Sequence, residues 1–362
     1  MFITPCGAVD SRAIEAVRAK KVLDSADLKA IDDFLTQAVN EILNTNDFSS
    51  VSNIRSIIIA SSASNEPGQV QFAEQFSQSA KNQISAALQK ADGFEQGHRF
   101  KIITNLLMVL DDLADPRLID LPLKYAGDKD VVISYWAVHC VTNQAIVTKF
   151  NSGKESDAVR KVVLRLDEII SGASPETLGL IASFAGSVKN PEGEGLLLKV
   201  ADRRIASYAD WSVKCELVDA SILQILADKM ISSGPDKAAA GRRFGQLYSD
   251  VFQRYIKGAK ILRQSQKEKL ISVLVETEKS CLLKLLKKPS SAIKKAIESG
   301  DINALAAEHN NLLGDATKQG VLPVEMSFDY GKDNSGASQT KPSQLAEPPP
   351  GKISPSAEPP KS

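Results

Sequence analysis

From residue 10 to residue 313 the apolar positions recur at intervals of three and four, the spacing of one face of an α-helix. In "DSADLKAIDDFLTQAVNEILN", Leu28, Ile31, Leu35, Val39 and Ile42 form one stripe, with Ser25 or Asp27 placed to cap the N-terminus. "QVQFAEQFSQSAKNQISAALQKA" is more polar and carries a narrow stripe at Phe72, Phe76, Ala80, Ile84 and Leu88. "RFKIITNLLMVLDDL" is apolar almost all round, which predicts a helix covered on several sides. "SIIIA" at 56–60 would suit a strand by itself, but its surroundings predict a helix. Beyond residue 231 come two longer helical stretches, read as a closing hairpin, and a small terminal pair, "SAIKKAIESG" and "DINALAAEHNNLLG". "VLPVEMSFDY" then alternates apolar residues at Val324, Met326, Phe328 and Tyr330, which predicts an extended segment within 314–330. Residues 331–362 are rich in Pro, Ser, Lys and Glu with hardly an apolar position. That composition predicts a disordered tail, dispensable for folding and leaning towards polyproline geometry. No two of its prolines are spaced as PxxP, which argues against an SH3-type ligand.

One pattern occurs twice. Residues 116–145 and 191–220 align without a gap at an offset of 75, with nine of thirty positions identical. Ordinary composition gives roughly two. The identities include both tryptophans, Trp136 and Trp211, and the cysteine four residues after each, Cys140 and Cys215. The expected unit opens on a proline (Pro116, Pro191), where a helix start needs no N–H. A first helix follows, then a polar turn, "GDKD" or "DRRI", then a second helix holding Trp and Cys on one buried face. Another helical pair lies between the copies, so the underlying hairpin is about half the offset, a solenoid-like period.

"DPRLIDLPLKYAGDKDVVISYWAVHCV" resembles HEAT-type, armadillo-like repeats. It has the Asp-Pro opening, an inner proline at Pro122, an acidic turn at Asp128 and Asp130, and Ile133 and Ala137 at the family's spacing. Ser134 stands where an arginine is common, and the second copy has Leu197 in place of the inner proline. The resemblance covers roughly 97–231. It implies an all-α fold, a right-handed α-solenoid of helical hairpins. The expected organisation is an N-terminal helical region (1–96), HEAT-like repeats (97–231), capping helices (232–313), the extended segment (314–330) and the tail (331–362).

Charge narrows the field. Lysine plus arginine and aspartate plus glutamate each number 44, so the chain lacks the overall basic footprint of a nucleic-acid binder. Lys284, Lys287, Lys288, Lys294 and Lys295 form a local basic cluster without interleaved aromatics, as helix C-termini favour. Cys6, Cys140, Cys215 and Cys281 are far apart, which predicts free thiols in a reducing compartment rather than a disulfide framework. "MFITPCGAVDS" has no basic n-region or apolar h-region, so no signal peptide is expected, and cytoplasmic is the default location. No apolar run reaches the length of a membrane span.

Catalytic signatures are missing: no HExxH, no G-x-S-x-G, no P-loop, no GxGxxG. The carboxylate pairs Asp32/Asp33 and Asp111/Asp112 read as solvated helix faces. His139 next to Cys140 is no repeated metal pair, because Lys214 replaces it in the second copy. No catalytic, cofactor-binding or metal residue is therefore assigned. The expectation is a non-enzymatic protein-interaction scaffold with a protein partner. The alternative is a nucleic-acid-binding protein or enzyme resembling the HEAT-like DNA glycosylases. Partner contacts are expected one residue before each Trp and Cys, at Tyr135, His139, Asp210 and Lys214, as i, i+4 pairs beside the buried stripe.

Overall fold

The computed structural model describes residues 11–45, 47–62, 69–153, 155–232, 237–332, 336 and 338–349. Among these residues every regular element is helical, and two isolated bridges, Gly314 with Gln319 and Lys332 with Ser338, are the sole β-type pairings. The chain forms two compact units, Met1–Ile169 and Ile170–Ser362. That division falls inside the 97–231 stretch expected as one array.

Unit 1 holds α1 (Arg12–Arg18), α2 (Ser25–Asn44), α3 (Phe48–Ser62), α4 (Val70–Ala91), α5 (Gln96–Leu113), α6 (Asp120–Leu123), α7 (Val131–Thr142), α8 (Gln144–Phe150) and α9 (Ser156–Ile169). The cap of α2 is Asp24, not Ser25 or Asp27. Asp24 accepts from the N–H groups of Ala26 and Asp27, and Asp27 accepts from the N–H of Asp24 at 3.1 Å, closing a capping box. Ile31, Leu35, Val39 and Ile42 are buried as the stripe predicts, and Phe34 and Ala38 widen it. All five expected positions of α4 are buried too. α2 packs on α4, α3 on α5 and α5 on α7. α5 thus has neighbours on several sides, which accounts for its encircling apolar pattern.

Unit 2 holds α10 (Pro175–Ser187), α11 (Pro191–Ala209), α12 (Val218–Ile231), α13 (Lys237–Lys257), α14 (Gln264–Glu276), α15 (Leu283–Leu286), α16 (Ala292–Glu298), α17 (Ile302–Leu313) and α18 (Val321–Met326). A π-helical turn, Thr277–Leu282, joins α14 to α15. α10 packs on α12 and α11 on α13, while α13 also meets α12, α14, α17 and α18. Phe244, Tyr248 and Phe252 of α13 are fully buried, each contributing about 1.5–3 kcal/mol of apolar burial. The stretch expected to be extended holds α18 instead, with Pro323 in its first turn, where the missing N–H is harmless. Val324 is exposed, whereas Phe328 is buried against α13. Gly241 and Gly245 permit this crossing: a Cβ at either would fall 2.6 Å from Phe328 or 2.8 Å from Tyr330.

The two copies of the sequence repeat fold differently. In the first, Pro116 opens a 3₁₀ turn, α6 ends after four residues, and the "GDKD" turn leads to α7, capped by Asp130. In the second, Leu197 stands for Pro122, Asp202 for Gly127 and Ile205 for Asp130. Nothing there breaks a helix or caps a new one, so α11 runs unbroken for 19 residues through "DRRI". Trp136 lies within α7, but Trp211 falls beyond the end of α11 in an irregular loop, with φ at 56°. Cys140 is buried, whereas Cys215 is half-buried at φ 52°. The expectation that both tryptophans are buried at equivalent places fails: Trp136 is half-buried and Trp211 is 9% exposed. Iodide is accordingly expected to quench one tryptophan component. Trp136→Phe should leave an emission that iodide hardly touches. Equal quenching of both single-tryptophan variants would contradict this arrangement.

Candidate functional site

The four expected contact residues part company in the structure. Tyr135 and His139 do share a face of α7, both half-buried, with ring centroids 6.0 Å apart. His139 Nδ1 lies 2.8 Å from Asp111 Oδ1, which also accepts from Asn143 Nδ2 at 2.7 Å. This hydrogen bond to Asp111 holds the His139 pKa above its ordinary value. Asp111 is therefore engaged by partners rather than merely solvated. Asp210 and Lys214 are exposed in the loop after α11, so they share no helix face and do not form the expected i, i+4 patch.

That loop is set by buried charges. Arg204, inside the stretch read as a turn, is 1% exposed. Its Nε and Nη2 donate to the two oxygens of Asp219 at 2.6 and 2.8 Å, and Tyr208 Oη donates to the same carboxylate at 2.7 Å. Its Nη1 donates to the Lys214 carbonyl at 3.1 Å, pinning the loop from beneath. From α13, the Arg254 guanidinium lies 5.4 Å from the centre of the Trp211 ring and 6.0 Å from that of Tyr208. Glu216 is 3.8 Å from Arg254, both nearly inaccessible. Desolvation lowers the Arg254 pKa below the usual guanidinium value. The net result is a tryptophan whose indole ring, with its N–H, is held beside Arg254 of α13.

What that N–H meets is a segment of the same chain. Residues 343–347, expected to be disordered, run along α13 with their backbone groups held by side chains. Gln246 accepts from Ser343 N–H at 2.8 Å and donates to Ser343 O at 3.2 Å. Gln253 accepts from Leu345 N–H at 2.7 Å and donates to Ser343 O at 3.0 Å. Lys257 donates to Leu345 O at 2.5 Å, and Trp211 Nε1 donates to Ala346 O at 3.1 Å. Side-chain amides here do what a neighbouring strand does in β-augmentation. Pro342 and Leu345 are buried, three residues apart, while Ser343, Gln344, Ala346 and Glu347 are exposed. Glu347 pairs with Lys257 at 3.3 Å. Composition missed this segment because its order comes from backbone groups and two apolar anchors, not from a run of apolar residues. Residues 350–362 lie outside the described residues.

A sequence signal for the site existed in α13. Gln246, Asp250, Gln253 and Lys257 recur at i, i+4, i+7 and i+11, a polar stripe within a helix that is otherwise largely covered. Asp250 is 1% exposed and accepts from Gln246 Nε2 at 2.9 Å, which orients that amide towards Ser343. Burial pushes the Asp250 carboxyl well above the usual carboxylate range. Below about pH 4 folded and unfolded chains both hold this proton. Above it the unfolded chain ionises while the folded chain keeps its proton, so stability falls as pH rises towards the raised pKa. Asp250→Asn should remove that loss, by up to about 1.4 kcal/mol per pH unit. Its melting temperature is expected to match wild type near pH 4 and exceed it at pH 8; parallel curves would refute the assignment.

The lysine cluster is partly neutralised. Lys284 pairs with Asp228, and Lys294 with Glu298 at 3.7 Å. Cys140, Cys215 and Cys281 are free, and Cys6 lies outside the described residues. Among the described residues no helix is long and apolar enough to cross a membrane, and no group of three or more His, Cys, Asp or Glu side chains could hold a metal ion. Comparison of the chain with family models, curated proteins and solved structures gives no match.

Proposed function

We propose that the protein is a non-enzymatic protein-interaction scaffold whose unit 2 takes an extended peptide along α13. The observation that carries this is the backbone-directed grip of Gln246, Gln253, Lys257 and Trp211 on residues 343–346. Contacts to main-chain groups accept many sequences, while the buried site of Leu345 selects among them. Within each unit, the packing of a helix on the next but one supports helical hairpins stacked as in a right-handed, HEAT-like α-solenoid. In unit 1 the face of α7 with Tyr135 and His139 is the proposed second contact. Panning a displayed library of linear peptides on the full chain carrying Leu345→Ser tests the groove. Captured sequences should lose binding when Gln253→Ala is added; a library yielding none that depends on Gln253 would overturn it.

A further inference from the structure

Resting on that reading, we propose that residues 342–348 are an internal competitor for the α13 groove. Its external partner is then an extended peptide of the same chemistry: an apolar residue, an acidic residue two positions on, and proline on both sides. The pattern is taken from the bound segment, Pro342-Ser343-Gln344-Leu345-Ala346-Glu347-Pro348. Leu345 fills the buried position at 5% exposure, and Pro342 is buried three residues before it. Two buried positions three residues apart match the three-residue turn of a polyproline-type ribbon, which prolines at either end stiffen in advance and so bind at lower entropic cost. Glu347 reaches Lys257 at 3.3 Å while itself 81% exposed, so the acid is read by a single lysine at the rim. Ser343 and Ala346 are held through their backbones and Gln344 is exposed, so all three side chains are free to vary.

Two features fit a displaceable occupant rather than a fixed structural element. Only two side chains of the segment are buried, Pro342 and Leu345, and four exposed residues lie among and beside them. Every polar group that grips it is one an incoming peptide backbone satisfies equally well. The sequence also holds an internal control. Ser354-Pro355-Ser356-Ala357-Glu358-Pro359-Pro360 repeats five of seven positions of 343–349, with Ser356 in place of Leu345. By the rule above, a peptide of that sequence is a weak ligand.

The test uses a fluorescent peptide with the sequence of residues 340–349 and the full-length chain, read by anisotropy. Leu345→Ser in the chain loosens the internal segment and is expected to tighten peptide binding at least tenfold over wild type. Glu347→Lys, at an exposed position, loosens it by an independent route and should act in the same direction. Replacing the glutamate of the peptide by lysine should weaken binding several-fold to a chain with the wild-type Lys257 and make little difference to a chain carrying Lys257→Met. The 351–360 peptide should bind at least tenfold more weakly than the 340–349 peptide. Equal affinity of wild type and both loosened chains would overturn the competition while leaving the groove itself standing. If peptides from the displayed library bind but the 340–349 peptide does not, the partner chemistry is wrong. A wild-type dimer held by exchanged segments, seen in light scattering and lost in Leu345→Ser, would overturn the intramolecular assignment.

Discussion

Asp219→Ala is expected to cost unit 2 about 3–5 kcal/mol, the usual penalty for stranding one member of a buried ion pair. Asp219 is 0% and Arg204 1% exposed, and the carboxylate takes three hydrogen bonds, two from Arg204 and one from Tyr208. Removing it leaves a guanidinium and a phenol without their acceptor inside the protein. The guanidinium that holds the Lys214 carbonyl of the Trp211 loop is then no longer fixed by a carboxylate. In urea the transition of unit 2 should move down by about 1–5 M, given slopes of about 1–3 kcal/mol per molar. The Arg204→Met/Tyr208→Phe/Asp219→Leu triple variant should recover most of this, because apolar side chains then replace both charges and the phenol that shared the carboxylate. Recovery of stability without recovery of peptide binding would separate the fold from the orientation of Trp211. An Asp219→Ala chain within about 0.5 kcal/mol of wild type would show that the pair is not structural.

Ending the chain at Lys332 is expected to lower the melting temperature of unit 2 by about 4–8 °C. Leu345 is 5% exposed, and burying such a side chain stabilises by about 1.5–3 kcal/mol. The hydrogen bonds from Gln246, Gln253, Lys257 and Trp211 largely offset the cost of ordering the residues they hold. A loss of about 2 kcal/mol corresponds to that temperature shift in a unit of this size. Ending the chain at Pro349 keeps every one of these contacts and should leave the transition where it is. Differential scanning calorimetry of the two truncations decides the matter. A Lys332 truncation that melts with wild type would mean that composition alone describes the segment correctly.

Much of the helical architecture was legible because apolar spacing is a local signal. The stripe of α4 could be read residue by residue, that of α2 in all but the half-buried Leu28, and so could the encirclement of α5. The site was not legible, for reasons that lie in particular residues. Arg204 in "DRRI" looks like a turn, since nothing nearby announces that Asp219, fifteen positions on, accepts its charge. The two tryptophans share neighbours in sequence but not structure, because Pro122, Gly127 and Asp130 of the first copy are Leu197, Asp202 and Ile205 in the second. A breaker and a cap outweigh nine identities. Ser343 and Leu345 are held through their backbones, which amino-acid identity does not encode.

The distance in sequence between the groove and its occupant has a consequence for how the protein is made. Trp211 meets Ala346 across 135 residues, and Gln253 meets Leu345 across 92. At synthesis rates of about 5–20 residues per second, α13 waits roughly 5–20 s for the segment that covers it. During that interval Gln246, Gln253 and the site of Leu345 face whatever the ribosome's surroundings offer. A newly made chain therefore exposes backbone-binding groups that the finished chain covers with its own residues 343–346.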